Sequence, residues 1–160
     1  MNNELEKIEC CPKFEPANWD GKEEVWADKR FIKGRVLSFL HIPLNFGGVC
    51  TRLSAIATSA GKLDRELPWL CDENSLWGSD LYVGVTGEVP GAQNVSLSGK
   101  FVFKVFEGAY NKMPVWIKEF ETWLKSTGKK SQKIYVWYTT CPKCAKKYGK
   151  NYVVMVARCE

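Results

Sequence analysis

The sequence predicts an α+β domain in which two amphipathic helices cover one face of a largely antiparallel sheet. Two segments carry apolar residues at helical spacing, and several others alternate or run apolar as strands do. The strands do not alternate with helices as a parallel βαβ sheet requires. The order read along the chain is strand, helix, strand, strand, helix, strand, strand. The sheet face away from the helices is then exposed, paired with a partner, or used.

Residues 1–22 read as an irregular lead-in, punctuated by Pro12, Pro16, Asn18 and Gly21. A single domain is expected over 23–160. A short strand is expected over 24–32 and a better one over 35–44, rich in Val, Leu, Phe and Ile. Asn45 suits the N-cap of a helix over 46–63, whose buried stripe would be Val49, Leu53, Ile56 and Ala60. A loop follows through Pro68 and Trp69 to Gly78. Its segment DENSLWGSD is polar apart from Trp77. Residues 80–86 alternate, with Leu81, Val83 and Val85 on one face and Tyr82, Gly84 and Thr86 on the other.

GEVPGAQ is a turn region, and 96–107 form a long strand. The clearest helix spans 113–127, with Pro114 in its first turn and Gly128 at its C′ position. Ile117, Phe120 and Leu124 would be its buried stripe, flanked by Met113, Trp116 and Trp123. Two last strands, 133–140 and 152–158, are joined by CPKCAKKYGKN.

Composition narrows the function classes. A chain of 160 residues with 45% hydrophobic and 26% charged residues buries a core and is not disordered. No run approaches the roughly 18 apolar residues that a membrane span needs. The start, MNNELEKIECC, is acidic where a signal peptide is basic and then apolar, so the expected location is the cytoplasm and no membrane partner is expected.

The seven cysteines are read as reduced thiols, with no cofactor and no metal. Cys141 and Cys144, in CPKC, have zinc-knuckle or redox spacing but form half a site. Cys10 and Cys11, or one of them with Cys159, would have to complete it. No phosphate-cradling glycine loop occurs. Eight lysines and no acid lie between Lys125 and Lys150. Without a nucleic-acid motif they are read as a solvated face, and nucleic acid is not an expected partner. Seven Trp, six Tyr and eight Phe point instead to surfaces that stack on a small, flat, apolar or aromatic molecule.

The stretches SDLYVGVTGEVPGAQNVSLSGKFVFKVFEGAY, KIYVWYTTCP and NYVVMVARC give 35–159 a likeness to a known family. In their order the chain resembles the GyrI-like small-molecule-binding family, which includes the effector-binding domains of MerR-type multidrug regulators. The resemblance implies tandem strand-helix-strand-strand units and a pocket for a small molecule. No helix-turn-helix precedes the domain, so it resembles a stand-alone member. Some of those are hydrolases of strained, cyclopropane-bearing electrophiles. The family's Glu-x-Tyr glutamate falls on Val136 and its tyrosine on Tyr138, which removes the carboxylate that cation-binding relatives use.

Glu107 ends a strand whose same-face neighbours are Phe101, Phe103 and Val105. In such surroundings a carboxylate suits general acid or base work; turned into solvent by Gly108, it is an ordinary strand end. Tyr135 and Trp137 share one strand face, Val136 and Tyr138 the other. The resemblance favours the second as pocket wall and aromatic content the first. Trp77 and Tyr82 lie at a loop-to-strand junction, and His41, the single histidine, shares a strand with Phe39. The leading expectation is a stand-alone binding module with Phe39, His41, Trp77, Tyr82, Tyr135, Trp137 and Tyr138 around the ligand. The alternatives are a hydrolase using Glu107, or an interaction protein using the lysine-rich end. Homodimerisation through the uncovered sheet face is left open.

Overall fold

Two strand-helix-strand-strand units follow one another in the computed structural model, which describes residues 14–39, 42–75, 77–139 and 149–159. The first unit comprises β1 (Glu23–Phe39), the two-residue β2 (Ile42–Pro43), α1 (Phe46–Ser59), β3 (Leu70–Ser75) and β4 (Gly78–Gly84). The second comprises β5 (Gln93–Glu107), α2 (Met113–Ser126), β6 (Ser131–Tyr138) and β7 (Tyr152–Cys159). Every pairing is antiparallel. No helix among the described residues is long and apolar enough to cross a membrane.

The two expected N-terminal strands are one strand of 17 residues. A bulge between Trp26 and Lys29, with Asp28 at φ 51°, bends it without ending it. The bend lets its two ends serve different partners: Glu23 to Lys33 pair with β5, and Phe31 to Leu37 pair with β4. The pairings run β1-β4-β3-β6-β7-β5 and return to β1, so six strands close on themselves. The seam between β3 and β6 is thin, a single bridge from Cys71 to Val136.

Both helices lie on the outer face. Val49, Leu53 and Ala57 of α1 pack on Ile32, Val36, Leu81 and Val83. Gly34 allows this approach, since a Cβ there would meet Leu53 Cδ1 at 2.8 Å. Asn45 does not cap α1 with its side chain; its Oδ1 accepts the Leu37 N–H at 2.7 Å and ties the helix start to β1. Trp116, Phe120 and Leu124 of α2 pack on Val102, Val136, Val153 and Met155. The buried stripe of α2 therefore begins at Trp116, and Ile117 faces outward at 37% exposure. The large indole one residue earlier fits the gap over Phe106, 5.8 Å away and stacked on it.

The inner face, which the sequence left uncovered, is turned onto itself and filled. Trp26 stacks on Phe101 at 4.2 Å, and Phe31, Leu70, Phe103, Val154 and Val156 complete a dry aromatic interior. Residues 14–22 belong to this packing. Trp19 lies 5.0 Å from both Phe103 and Trp137, and Phe14 lies 5.4 Å from Trp137. Backbone bonds from Gly21 N–H to Phe103 and from Phe103 N–H to Lys22, both 2.9 Å, extend the β1–β5 ladder.

Truncating Phe120 removes a fully buried ring, so Phe120→Ala should cost about 3–5 kcal/mol, whereas Ile117→Ala should cost under about 1 kcal/mol. Urea denaturation, read as a shift of midpoint at constant slope, checks the contrast. Equal losses would contradict the observed stripe.

Candidate active site

Side chains alternate along each strand, so the register states which residues share the concave face. On β1 they are Phe31, Lys33, Arg35, Leu37 and Phe39, passing from the buried interior to the open end. Lys33 faces Tyr82 and Arg35 faces Asp80 on β4; Leu70 and Asp72 of β3 face Tyr82 and Asp80 in turn. Lys133, Tyr135 and Trp137 of β6 complete the wall.

Asp72 and Asp80 therefore stand directly opposite each other on neighbouring strands. Two like charges so placed repel unless each is compensated. Each has its own cation. Lys133 Nζ reaches Asp72 Oδ2 at 2.5 Å. Asp80 is held by Lys33 at 3.8 Å and by Arg35 at 3.3 Å. Asp72 is 5% exposed, one of only two buried polar side chains among the described residues. Its hydrogen bond holds the Lys133 ammonium above the ordinary lysine value.

Tyr82 and Tyr135 close the inner end of this polar row, ring against ring at 5.9 Å and 88°. Burial pushes both phenols above their ordinary value of 10.0, with the Asp72 charge adding to it. Both stay protonated at neutral pH and act as donors. Among the described residues neither hydroxyl makes a hydrogen bond. Neither oxygen is a buried atom left without a partner, so both hydroxyls reach solvent on the concave face beside the carboxylate pair. At the outer end, Phe39 and Trp77 lie 5.7 Å apart, exposed by 54% and 58%, with Leu37 beside them. The row thus runs from an exposed apolar platform, past paired carboxylates with cations, to two protonated phenols.

Tyr82, Tyr135 and Trp137 fall on one face, where Trp137 is packed against Phe14 and Trp19, and Phe39 and Trp77 stand exposed at its rim. Tyr138 falls on the other. Its ring meets Phe46 of α1 at 5.7 Å, and its hydroxyl donates to Glu73 at 2.5 Å. Val136 packs under α2, so the face favoured by the resemblance is the one the helices cover, because the helices take the odd-even set that includes Met155 and Val153. Glu107 has the concave parity but stands exposed at the far end of β5, opposite Tyr152. The apolar enclosure expected around it is absent, because Phe101 and Phe103 lie deeper along the strand. His41, Cys141, Cys144, Cys10 and Cys11 lie outside the described residues.

Burial raises the Cys50 thiol to about 11 and the Cys71 thiol well above its ordinary value, which leaves both unreactive. Among the described residues no three His, Cys, Asp or Glu side chains gather as a metal site. Sequence reasoning missed Asp72, since β3 was read as loop, and took Asp80 only as the start of a strand, without its partner opposite. The signal was Leu70-Cys71-Asp72, two apolar residues ahead of an acid-rich run that hides a short strand.

The model of a family described as "Bacterial hydrolase" matches residues 1–159. No curated protein sequence matches the chain. Among solved structures, an uncharacterized conserved protein from Listeria innocua is similar, with a TM-score of 0.64 at 12% identity, covering 99% of this chain and 98% of the other. A hydrolase from Listeria innocua gives 0.60 at 12% identity over 99% and 98% of the two chains. Another Listeria innocua hydrolase gives 0.60 at 11%, with the same coverage. At these identities the likeness is one of fold.

The raised phenols carry a pH consequence. Neutral Tyr82 and Tyr135 are favoured by the fold, so their contribution to stability is present below the unfolded tyrosine value of about 10 and is lost as pH rises beyond it. Denaturant midpoints should fall from about pH 10 upward, and less steeply in Tyr82→Phe and Tyr135→Phe. An unchanged slope in both variants would mean that these hydroxyls are not desolvated.

Proposed function

The chain belongs to the bacterial hydrolase family, and from that premise we propose that it hydrolyses small electrophilic molecules on the concave face of its closed sheet. The observation that carries this reading is the pairing of two uncommitted, protonated phenols, Tyr82 and Tyr135, with two opposed carboxylates, Asp72 and Asp80. Hydrolysis needs a group that takes a proton from water and a group that stabilises the oxygen receiving the electron pair. The site offers both within one row.

In this mechanism a carboxylate of the pair accepts a proton from water as the water oxygen attacks the substrate carbon. The bond to the leaving atom breaks, and its electrons come to rest on a substrate oxygen. Tyr82 and Tyr135 donate hydrogen bonds to that oxygen as charge develops, a contribution worth roughly 10²–10³ in rate per donor. The cations Lys33, Arg35 and Lys133 offset the repulsion between the two opposed carboxylates. The Phe39–Trp77 platform holds the apolar part of the substrate at the rim. A strained ring, such as the cyclopropane that the GyrI-like resemblance implies, suits this arrangement: attack opens the ring and the electrons run to a conjugated oxygen.

A second reading is sequestration without turnover. It is favoured by the exposed Leu37, Phe39 and Trp77, which bind whether or not chemistry follows.

Turnover of an activated aryl ester and of a spirocyclopropyl dienone, followed by chromatography, tests the proposal. Asp72→Asn and Tyr82→Phe should each lower kcat by about 10²-fold or more with KM within a few-fold. Glu107→Gln should stay near the unsubstituted rate. Full activity in the first two variants would remove the assigned roles. Saturable fluorescence quenching with no product from either substrate would leave sequestration as the better account.

A further inference from the structure

Arg158 of β7 and Lys133 of β6 stand directly opposite each other in the ladder, both on the concave face. Two cations in that position repel across the strands. Lys133 is compensated by Asp72. Arg158, half-buried, makes no ion pair among the described residues. The acid of that face nearest along the ladder, Glu24, flanks Phe101 on the far side from Arg158. It is already committed to Lys22 at 2.8 Å and to the Trp26 indole N–H at 2.8 Å.

The backbone makes room for the guanidinium. Gly99 sits at φ +133°, and a Cβ there would lie 3.2 Å from Arg158 Nε and 3.7 Å from its Cγ. The stem of the arginine therefore lies across a bare stretch of β5. Around Arg158 itself the ladder places Lys133 on one side and, across Phe101, a glutamate already committed on the other, so the guanidinium is paired with no carboxylate among the described residues.

We propose that Arg158, with Lys133 beside it, seats an oxyanion carried by the substrate, a carboxylate or a phosphate, and so selects anionic molecules. The proposal rests on the hydrolase reading only in calling that molecule the substrate. A guanidinium matches either oxyanion with two parallel N–H donors, which an ammonium does not reproduce. The seat lies beyond Tyr135 as seen from the carboxylate pair. It would hold the substrate's charged tail while the electrophilic carbon meets Asp72 and Asp80.

Trp26 pairs with Gly99 in the ladder, and it is one of the seven tryptophans whose summed fluorescence follows binding. Titrating the full chain with 2-naphthoate, 2-naphthyl phosphate and neutral 2-naphthamide should give saturable quenching by the anions and at least tenfold weaker binding of the amide. The tighter anion identifies the oxyanion. Arg158→Gln should weaken the anions at least tenfold and leave the amide unchanged, and Arg158→Lys should fall between. If Arg158→Gln melts early, Arg158→Lys and the salt dependence of the unsubstituted protein decide in its place. Equal binding of naphthoate and naphthamide, or unchanged anion binding in Arg158→Lys at low salt, would overturn the proposal. Anion binding that depends on Arg158 in a protein without turnover removes the hydrolase reading and keeps the seat. Turnover that depends on Asp72 with no preference for anions does the reverse.

Discussion

The pairing of β1 with β5 is the constraint on which the rest depends. A sheet of two strand-helix-strand-strand units joined only along β3 and β6 would hang on one bridge, Cys71 to Val136. The long register from Glu23 to Lys33 against β5 supplies the second seam. It exists because β1 is long enough to serve two neighbours and is bent at Asp28 so that both lie within reach. Closure then decides what each face becomes. The outer face takes the helices, and the inner face is removed from water along most of its length.

Turning a face inward raises the stakes for every polar group on it. Around the Trp26–Phe101 stack the interior is apolar and aromatic, and the one acid beside it, Glu24, is met by the Trp26 indole N–H and by Lys22, because a polar group there would otherwise lose its water without a partner. Toward the open end the same strands carry Lys33, Arg35, Asp72, Asp80 and Lys133, and each carboxylate is met by a cation. The arrangement is costly as a means of stability, since well-packed apolar residues often do as well as a buried ion pair.

Much of this was legible in the sequence. The α+β class, the element order and the placement of both helices on one face follow from periodicity, because an apolar stripe at 3.6-residue spacing has few places to go. Alternation in 80–86 correctly put Leu81 and Val83 together and Tyr82 apart from them. Three features were hidden for physical reasons. β3 carries DENS, a composition that favours loops, and is a strand only because β4 and β6 lie on either side of it. The stripe of α2 is fixed by Trp116 meeting Phe106, a long-range fit that spacing along the helix does not encode. Sheet closure is a matter of twist and register, so the sequence could suggest an open face but not its curling inward.

The same point explains why the sequence directs attention to Glu107 while the more buried carboxylate of the concave face is Asp72. A strand read alone tells which residues share a face but not where along that face the water ends. Glu107 follows Phe101, Phe103 and Val105 in sequence, and that adjacency suggested enclosure. In the closed sheet those residues descend toward the interior while Glu107 remains at the rim. Asp72 has the poorer sequence context and the deeper position, because Tyr82, Lys133 and the neighbouring strand surround it. Depth in a closed sheet is set by the partner strands, and it is depth that converts a carboxylate from a solubilising charge into a group able to hold a water against a substrate.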